Sequence, residues 1–322
     1  MTTETRSAPE SAAPPPPPGQ KAPVRPGDRI FSGAALAAAL TILVTLAGVA
    51  LFLFVRGYPG FTADEEEVGA AGFVGLVVPL LFGTIWVSAL ALLIAAPVAI
   101  GIALYISHYA PRRVARTFGY VVDLLAAVPS VIFGFWGITV LAPYLVPGYQ
   151  WLEANLGFIP LFTGPTANSG RVMLTAALVL AVMILPIMTS VCREVFLQTP
   201  RLHEEAALAL GATRWEMIRM AVLPYGRSGI ISGAMLGLGR ALGETLAVTI
   251  ILSVVPGTIT FNLLSSQNPS TIPANIALNF PEATGVGVAV LVATGLVLFV
   301  LTFLVNYLAR LVAARGFSGA AG

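Results

Sequence analysis

The stretch VVPLLFGTIWVSALALLIAAPVAIGIALYIS, residues 77–107, holds no charged side chain along its whole length. A helix needs about 20 apolar residues to cross the hydrocarbon core of a bilayer, so this run predicts a membrane span. Five further runs of similar character lie at 30–55, 119–144, 171–196, 228–255 and 285–312. The fold class expected is therefore all-α: a polytopic membrane protein with six transmembrane helices. Composition agrees. The chain is 57% hydrophobic and 10% charged, with a mean hydropathy of +0.88. A soluble protein carries roughly 25% charged residues.

Prolines interrupt the pattern at Pro97, Pro129 and Pro186. Each removes a backbone donor and is expected to kink its helix. Such breaks persist in a membrane where neighbouring protein or water satisfies the freed carbonyl, which points to a packed bundle with a path through it. Residues 1–29, with the run Pro14–Pro18, are too poor in apolar side chains to fold and read as a disordered, Pro-rich cytoplasmic tail. The tail is a spacer or a docking arm. Residues 30–74 read as the first span and an outer acidic loop. The 30–55 run exceeds the 7–15 apolar residues of a signal-peptide core and reads as a retained span. Cys192 is the one cysteine and Lys21 the one lysine. No intrachain disulfide can form, and a cysteine metal site is not expected.

Basic residues set an orientation. With the N-terminus inside, the inner segments hold Arg6, Lys21, Arg25, Arg29, Arg112, Arg113, Arg116, Arg193, Arg201, Arg214, Arg219, Arg227, Arg310 and Arg315. The outer loops hold Arg56, Arg171 and the acidic run Asp64–Glu67. The positive-inside rule then places both termini in the cytoplasm.

The longest inner loop, 197–227, has helix signals. Thr199 is expected to cap a helix opening with Pro200, and Glu204 and Glu205 suit its positive end. The helix is expected to stop at Gly211. Thr213 and Glu216 then have capping-box spacing for a second helix ending before Pro224. Such a unit is a structured connector or a rigid projection that a partner can push.

Within the fifth run lie Arg240 and Glu244. A charge at the bilayer centre costs at least about 2.5–3.5 kcal/mol and marks either an internal ion pair or a solute path. On one continuous helix, residues four apart share a face. Gly229, Gly233 and Gly237 fall on the same stripe, where they admit another backbone or line a path. An arginine on a path suits an oxyanion, because its planar donors match phosphate-type oxygens.

No Gly-rich loop ending in Lys is present to cradle a nucleotide, and no His-Glu-x-x-His sequence. His108 and His203 are far apart and read as loop residues. Catalytic residues and metal ligands are therefore not expected.

Several of these residues also carry a resemblance. Glu205-Ala206-Ala207, Gly211 four residues later and Leu223-Pro224 resemble the EAA motif of ATP-binding-cassette (ABC) importer permeases, with Ala221 where that family more often has Ile or Val. Leu185-Pro186, Thr189-Ser190, Val128-Pro129-Ser130-Val131, Gly134 and Gly239–Thr245 resemble the permeases of the phosphate-specific (Pst) transport system. Of the two permeases in that system, the likeness is greater to the C-type one. It covers 75–315, read as the permease core. It implies a type I ABC importer fold with no catalysis by this chain and no bound cofactor. ATP with Mg would sit on partner ATPase subunits. The implied partners are a second homologous permease, two ATPase subunits, an extracytoplasmic phosphate-binding protein and membrane lipid, with no nucleic acid. The location implied is a bacterial plasma (inner) membrane. Glu205, Ala206, Ala207 and Gly211 would couple to the ATPase, and Arg240 and Glu244 would lie on the substrate path. Ser130 and Thr189 offer hydroxyls to that path or bond to their own helix backbone. Two alternatives stand beside this reading. One is a permease of the same fold for molybdate or sulfate. The other is an ion-coupled secondary transporter using Glu244, although no paired internal repeat is visible.

Overall fold

The computed structural model describes residues 26–63, 65–68 and 72–317. Most of the expected tail, 1–25, lies outside the described residues, but Pro26–Arg29 already belong to the first helix. Every regular element among the described residues is helical, and a single bridge, Val254 to Asn268, stands outside them.

The first helix, α1 (Pro26–Phe61), is divided between two compact units, Met1–Val49 and Ala50–Gly322. Its stretch within the first unit is apolar around its circumference from Ile30 onward, as a lipid-facing helix is. In the second unit follow α2 (Glu65–Val68), α3 (Gly72–Leu104), α4 (Arg112–Ala126), α5 (Ser130–Trp136), α6 (Ala142–Leu156) and α7 (Met173–Leu197). Then come α8 (Arg201–Ala209), α9 (Arg214–Met217), α10 (Leu223–Leu242), α11 (Leu246–Ile251), α12 (Ile272–Asn279) and α13 (Val286–Phe317). Three wide π-helical turns, Tyr105–Tyr109, Gly137–Leu141 and Ile218–Val222, join or extend these elements.

α7 is the centre of the bundle. Ala176, Val179, Leu180, Ile184, Met188 and Cys192 are fully covered. α3 meets it through Ala91, Ala95, Ala99 and Ala103, each at 0% exposure and spaced by four. In a membrane, water does not drive helices together, so small residues at this spacing gain stability from close van der Waals packing. The glycine stripe of α10 does the same on another side of α7. A Cβ on Gly237 would meet Met188 at 2.9 Å, and one on Gly226 would meet the Phe196 ring at 2.7 Å. Gly229 lies against Val195 and Gly233 against Cys192 and Val191. Those glycines therefore serve helix packing and form no bare wall beside a path.

Among the described residues, five helices are long and apolar enough to cross a membrane, and the sixth expected traverse is built from broken pieces. The third helix of that length is Ser130–Leu156, displaced from the expected 119–144. The amphipathic α4 precedes it with Gly119 against Arg193 and Asp123 near Ser190. The span itself places Gly137 against Val179 and Ala142 against Gly170. Pro129 does more than kink the expected run: the helix stops at Ala126 and restarts at Ser130. Pro97 and Pro186 lie inside α3 and α7, neither of which they end. The fifth span is interrupted as well. α10 ends at Leu242, and α11 supplies only six residues.

Past α11 the chain forms a cap with the segment after α6. Leu263 N–H donates to Leu161 O (2.9 Å), Leu174 N–H to Leu263 O (3.1 Å) and Ala167 N–H to Leu264 O (3.0 Å). Buried Asn268 ties the loop by donating from Nδ2 to Ser253 O (3.0 Å) and Ser265 O (2.9 Å). The stretch after α6, residues 157–170, thus packs on the chain's own loop.

Candidate functional site

Two regions collect the chemistry. The first is the interruption of the fifth span. Gly243 N–H closes α10 on Gly239 O (3.3 Å), and Glu244 N–H bonds Ala241 O (3.3 Å). Glu244 is 8% exposed and its Oε1 accepts from Ala247 N–H at 3.1 Å, so the carboxylate satisfies a free donor at the start of α11. The expectation of one continuous helix with Arg240 and Glu244 on a shared face is thereby corrected. The helix ends between them, and among the described residues no ion pair joins them. The physical reason is local: Gly243 weakens the helix, and the Glu244 side chain competes for a backbone N–H.

Arg240 is half-buried on the last turn of α10, and its buried Nε has no hydrogen-bond partner. Thr189 on α7 is at 0% exposure, and its Oγ1 also lacks a partner. Ser88, Thr166 and Thr199 share that lack of a partner, whereas two other buried threonines bond their own helix. Thr84 Oγ1 donates to Leu80 O at 2.7 Å and Thr294 Oγ1 to Leu291 O at 2.7 Å. The alternative in which Thr189 bonds its own helix is therefore not what the structure shows. Ser130 begins α5 and is partly buried. The four residues stand on separate parts of the bundle, and no hydrogen bond joins any two of them. Gly134 lets α11 press close, since a Cβ there would lie 3.1 Å from Ala247 Cα. An unpaired buried donor can receive an oxyanion's oxygen, and each costs about 1–3 kcal/mol while empty.

The second region is the projection formed by α8 and α9. Thr199 does not cap α8. Pro200 occupies the cap position, and Thr199 Oγ1 is buried without a partner. The stop at Gly211 is as expected, with φ +85°. Ala212 N–H donates to Ala207 O (3.2 Å) and Gly211 N–H to Leu208 O (3.0 Å), the paired bonds of a Schellman turn. Thr213 and Glu216 form the capping box. Glu216 Oε2 accepts from the Thr213 N–H and hydroxyl, both at 2.8 Å, which holds its carboxyl below the ordinary value of 4.5. The second helix does not end before Pro224. A π turn carries it into α10, and Leu223 N–H reaches back to Ile218 O. The wider turn accommodates the proline ring and its missing donor.

On this projection Glu205, Ala206 and Gly211 are exposed, whereas Ala207 is buried in the cluster that also holds Phe196, Met217 and Ile218. The projection also presents apolar side chains that the sequence reading passed over. Leu210 is 90% exposed, Leu202 74% and Trp215 56%. Their signal was a large apolar residue in an otherwise charged loop. A second missed feature is His108, whose Nε2 lies 3.4 Å from Glu204 Oε1.

Comparison with known proteins is consistent with this architecture. Residues 97–315 match the family model described as "Binding-protein-dependent transport system inner membrane component". The chain is 46% identical over 314 residues to "Phosphate transport system permease protein PstC 2" of Mycobacterium tuberculosis, covering 92% of this chain and 95% of that protein. It is 42% identical over 304 residues to "Phosphate transport system permease protein PstC" of Mycobacterium leprae, covering 91% and 95%. Among solved structures, a chain of a bacterial alginate ABC transporter bound to its periplasmic protein aligns with TM-score 0.60. That alignment has 18% identity and covers 90% of this chain and 95% of the other. A chain of the inward-facing MetNI methionine ABC transporter aligns with TM-score 0.54 and 15% identity, covering 75% and 96%. These two likenesses concern the fold.

Proposed function

As the chain belongs to the family of binding-protein-dependent transport system inner membrane components, we propose that it is the permease subunit of an ATP-driven phosphate importer. The observation that carries this reading is the identity of 42–46% along nearly the full length of phosphate permeases. The chain forms half of the translocation path, and a second, homologous permease forms the rest. It hydrolyses no ATP itself. Two partner ATPase subunits hold ATP with Mg, and an extracytoplasmic binding protein delivers phosphate. The chain lies in the bacterial plasma membrane with both termini in the cytoplasm, where the basic residues concentrate.

Closure of the ATPases pushes the projection of α8 and α9. Because α9 runs through its π turn into α10, the push reaches the end of α10 that bears Arg240. Arg240 meets the anion with a charge that proton loss cannot remove. Thr189 and Ser130 lend hydroxyl donors. Glu244 holds the start of α11 and so shapes the path. Alternation between inward- and outward-facing states then moves phosphate across.

The test is co-expression of this chain with its partners, purification of the complex and reconstitution in vesicles. ATP-dependent accumulation of phosphate, dependent on the binding protein, is expected. Accumulation of molybdate or sulfate in its place, or purification without any bound ATPase, would overturn the reading.

A further inference from the structure

The second span ends in an unusual way. α3 stops at Leu104, and a π turn, Tyr105–Tyr109, follows, closed by Ala110 N–H on Tyr105 O (2.8 Å). Wide turns of this kind re-aim the side chains that follow them. Here His108 comes to face α8 across a cavity of about 270 Å³ lined also by Ser107, Tyr109, Glu204, Leu208 and Arg214.

The ring is held from both sides. Ser107 Oγ lies 2.8 Å from Ala103 O, 3.3 Å from Leu104 O and 2.7 Å from His108 Nδ1. Nε2 lies 3.4 Å from Glu204 Oε1, and a proton on Nε2 makes that contact attractive. The His108 side chain is 9% exposed and that of Glu204 24%, so solvent screens the pair less than a surface pair. The charged or titratable groups lining the cavity around the ring are Glu204 on α8, Arg214 on α9 and Tyr109 on its own turn. α4 and α7 also pack near the turn but contribute nothing to that lining.

Glu204 and Ala207 are three apart and share a face of α8. Ala207 belongs to the buried cluster that also holds Ala103 and Leu104, just before the same turn. The Glu204 contact ties that face of α8 to the end of the second span. We propose that His108 is a positioning residue: its contact with Glu204 locks the coupling helix to the end of the second span, so that motion of α8 is delivered to α3 as well as to α10. The transport meaning of this lock rests on the proposed importer function; the lock itself does not.

The test uses the full chain in lipid nanodiscs, without ATP, phosphate or partners. Spin labels go on Leu210→Cys and Tyr120→Cys, which are exposed, while Cys192 is buried. The parent distance distribution should be narrow. His108→Asn keeps a polar group near Ser107 but shortens the side chain away from Glu204, and Glu204→Ala removes the carboxylate. Both should be broad, whereas His108→Arg, which can still pair with Glu204, should be narrow. A broad parent distribution, or a narrow one in either shortened variant, overturns the lock. In the reconstituted complex, His108→Asn should lower phosphate moved per ATP by about threefold, within the population change a partly screened polar pair sustains. A narrow parent distribution in a complex that imports no phosphate would sink the importer reading and leave the lock standing.

Discussion

At the scale of single residues, the separation of Arg240 from Glu244 changes what their substitutions should do. In a self-neutralising pair, removal of one member orphans the other. No such pair is present here, so single changes are informative. Glu244→Gln keeps an oxygen for Ala247 N–H and should assemble normally. Arg240→Met should also assemble, yet lower phosphate uptake at least tenfold, and Arg240→Lys should be impaired because a point charge lacks two-pronged donors. Uptake at low external phosphate, normalised to assembled complex, decides it; near-parental uptake by Arg240→Met removes the arginine from the path. The glycines of α10 divide just as sharply. Gly237→Leu drives a side chain into Met188 and should cost about 1–3 kcal/mol of overpacking, read as lost folded protein on heating in detergent. At Gly239 a Cβ meets nothing within 4 Å, so Gly239→Ala should be neutral or gain up to about 1 kcal/mol of helix propensity. Equal loss in both variants would argue against packing as the cause.

At the scale of elements, the projection of α8 and α9 rests on backbone geometry. A Cβ at Gly211 has open space around it, so a clash is not what excludes other residues. Its φ of +85° is the constraint, costing a β-branched residue about 1–2 kcal/mol. Gly211→Val should therefore unsettle the turn and reduce uptake and ATPase binding while the spans stay folded. Gly211→Asn should retain most of both, since Asn tolerates the left-handed region. Full uptake and ATPase binding in the Val variant would rule out a coupling role for the turn. The capping box of α9 has a pH sign. Glu216 is lowered in the folded state, so its contribution is complete above its ordinary value of 4.5 and is lost as pH falls through the lower folded value. Amide exchange at Arg214–Met217, corrected for intrinsic rates, should quicken in that acid range. Thr213→Ala should show the quickening already at neutral pH.

At the scale of the molecule, orientation is the open quantity that a simple measurement settles. A reporter active only in the cytoplasm should be active when fused after Arg116, Leu210 or Gly322 and silent after Gly164 or Gly257. Leu210 serves better than Gly226, because Gly226 packs on Phe196 and an insertion there would break the bundle. Activity after Gly257 would reverse the topology and move the projection to the outer face.

The sequence by itself determined the membrane class, the turn at Gly211 and the Thr213 box. Each of these is a local signal: a run of apolar residues, a left-handed glycine, an i to i+3 cap. It also held the motifs through which the chain resembles its family. What it did not contain was where the fifth span breaks, because a helix pattern continues through Arg240–Glu244 and only the competition of Glu244 for a backbone donor ends it. The role of the α10 glycines likewise awaited α7, since bare backbone looks the same facing a helix or a path. His108 and Glu204 are separated by almost a hundred residues, and no periodicity links them. Only the tertiary fold, with the π turn at the end of α3 beside α8, brings that imidazole and carboxylate together.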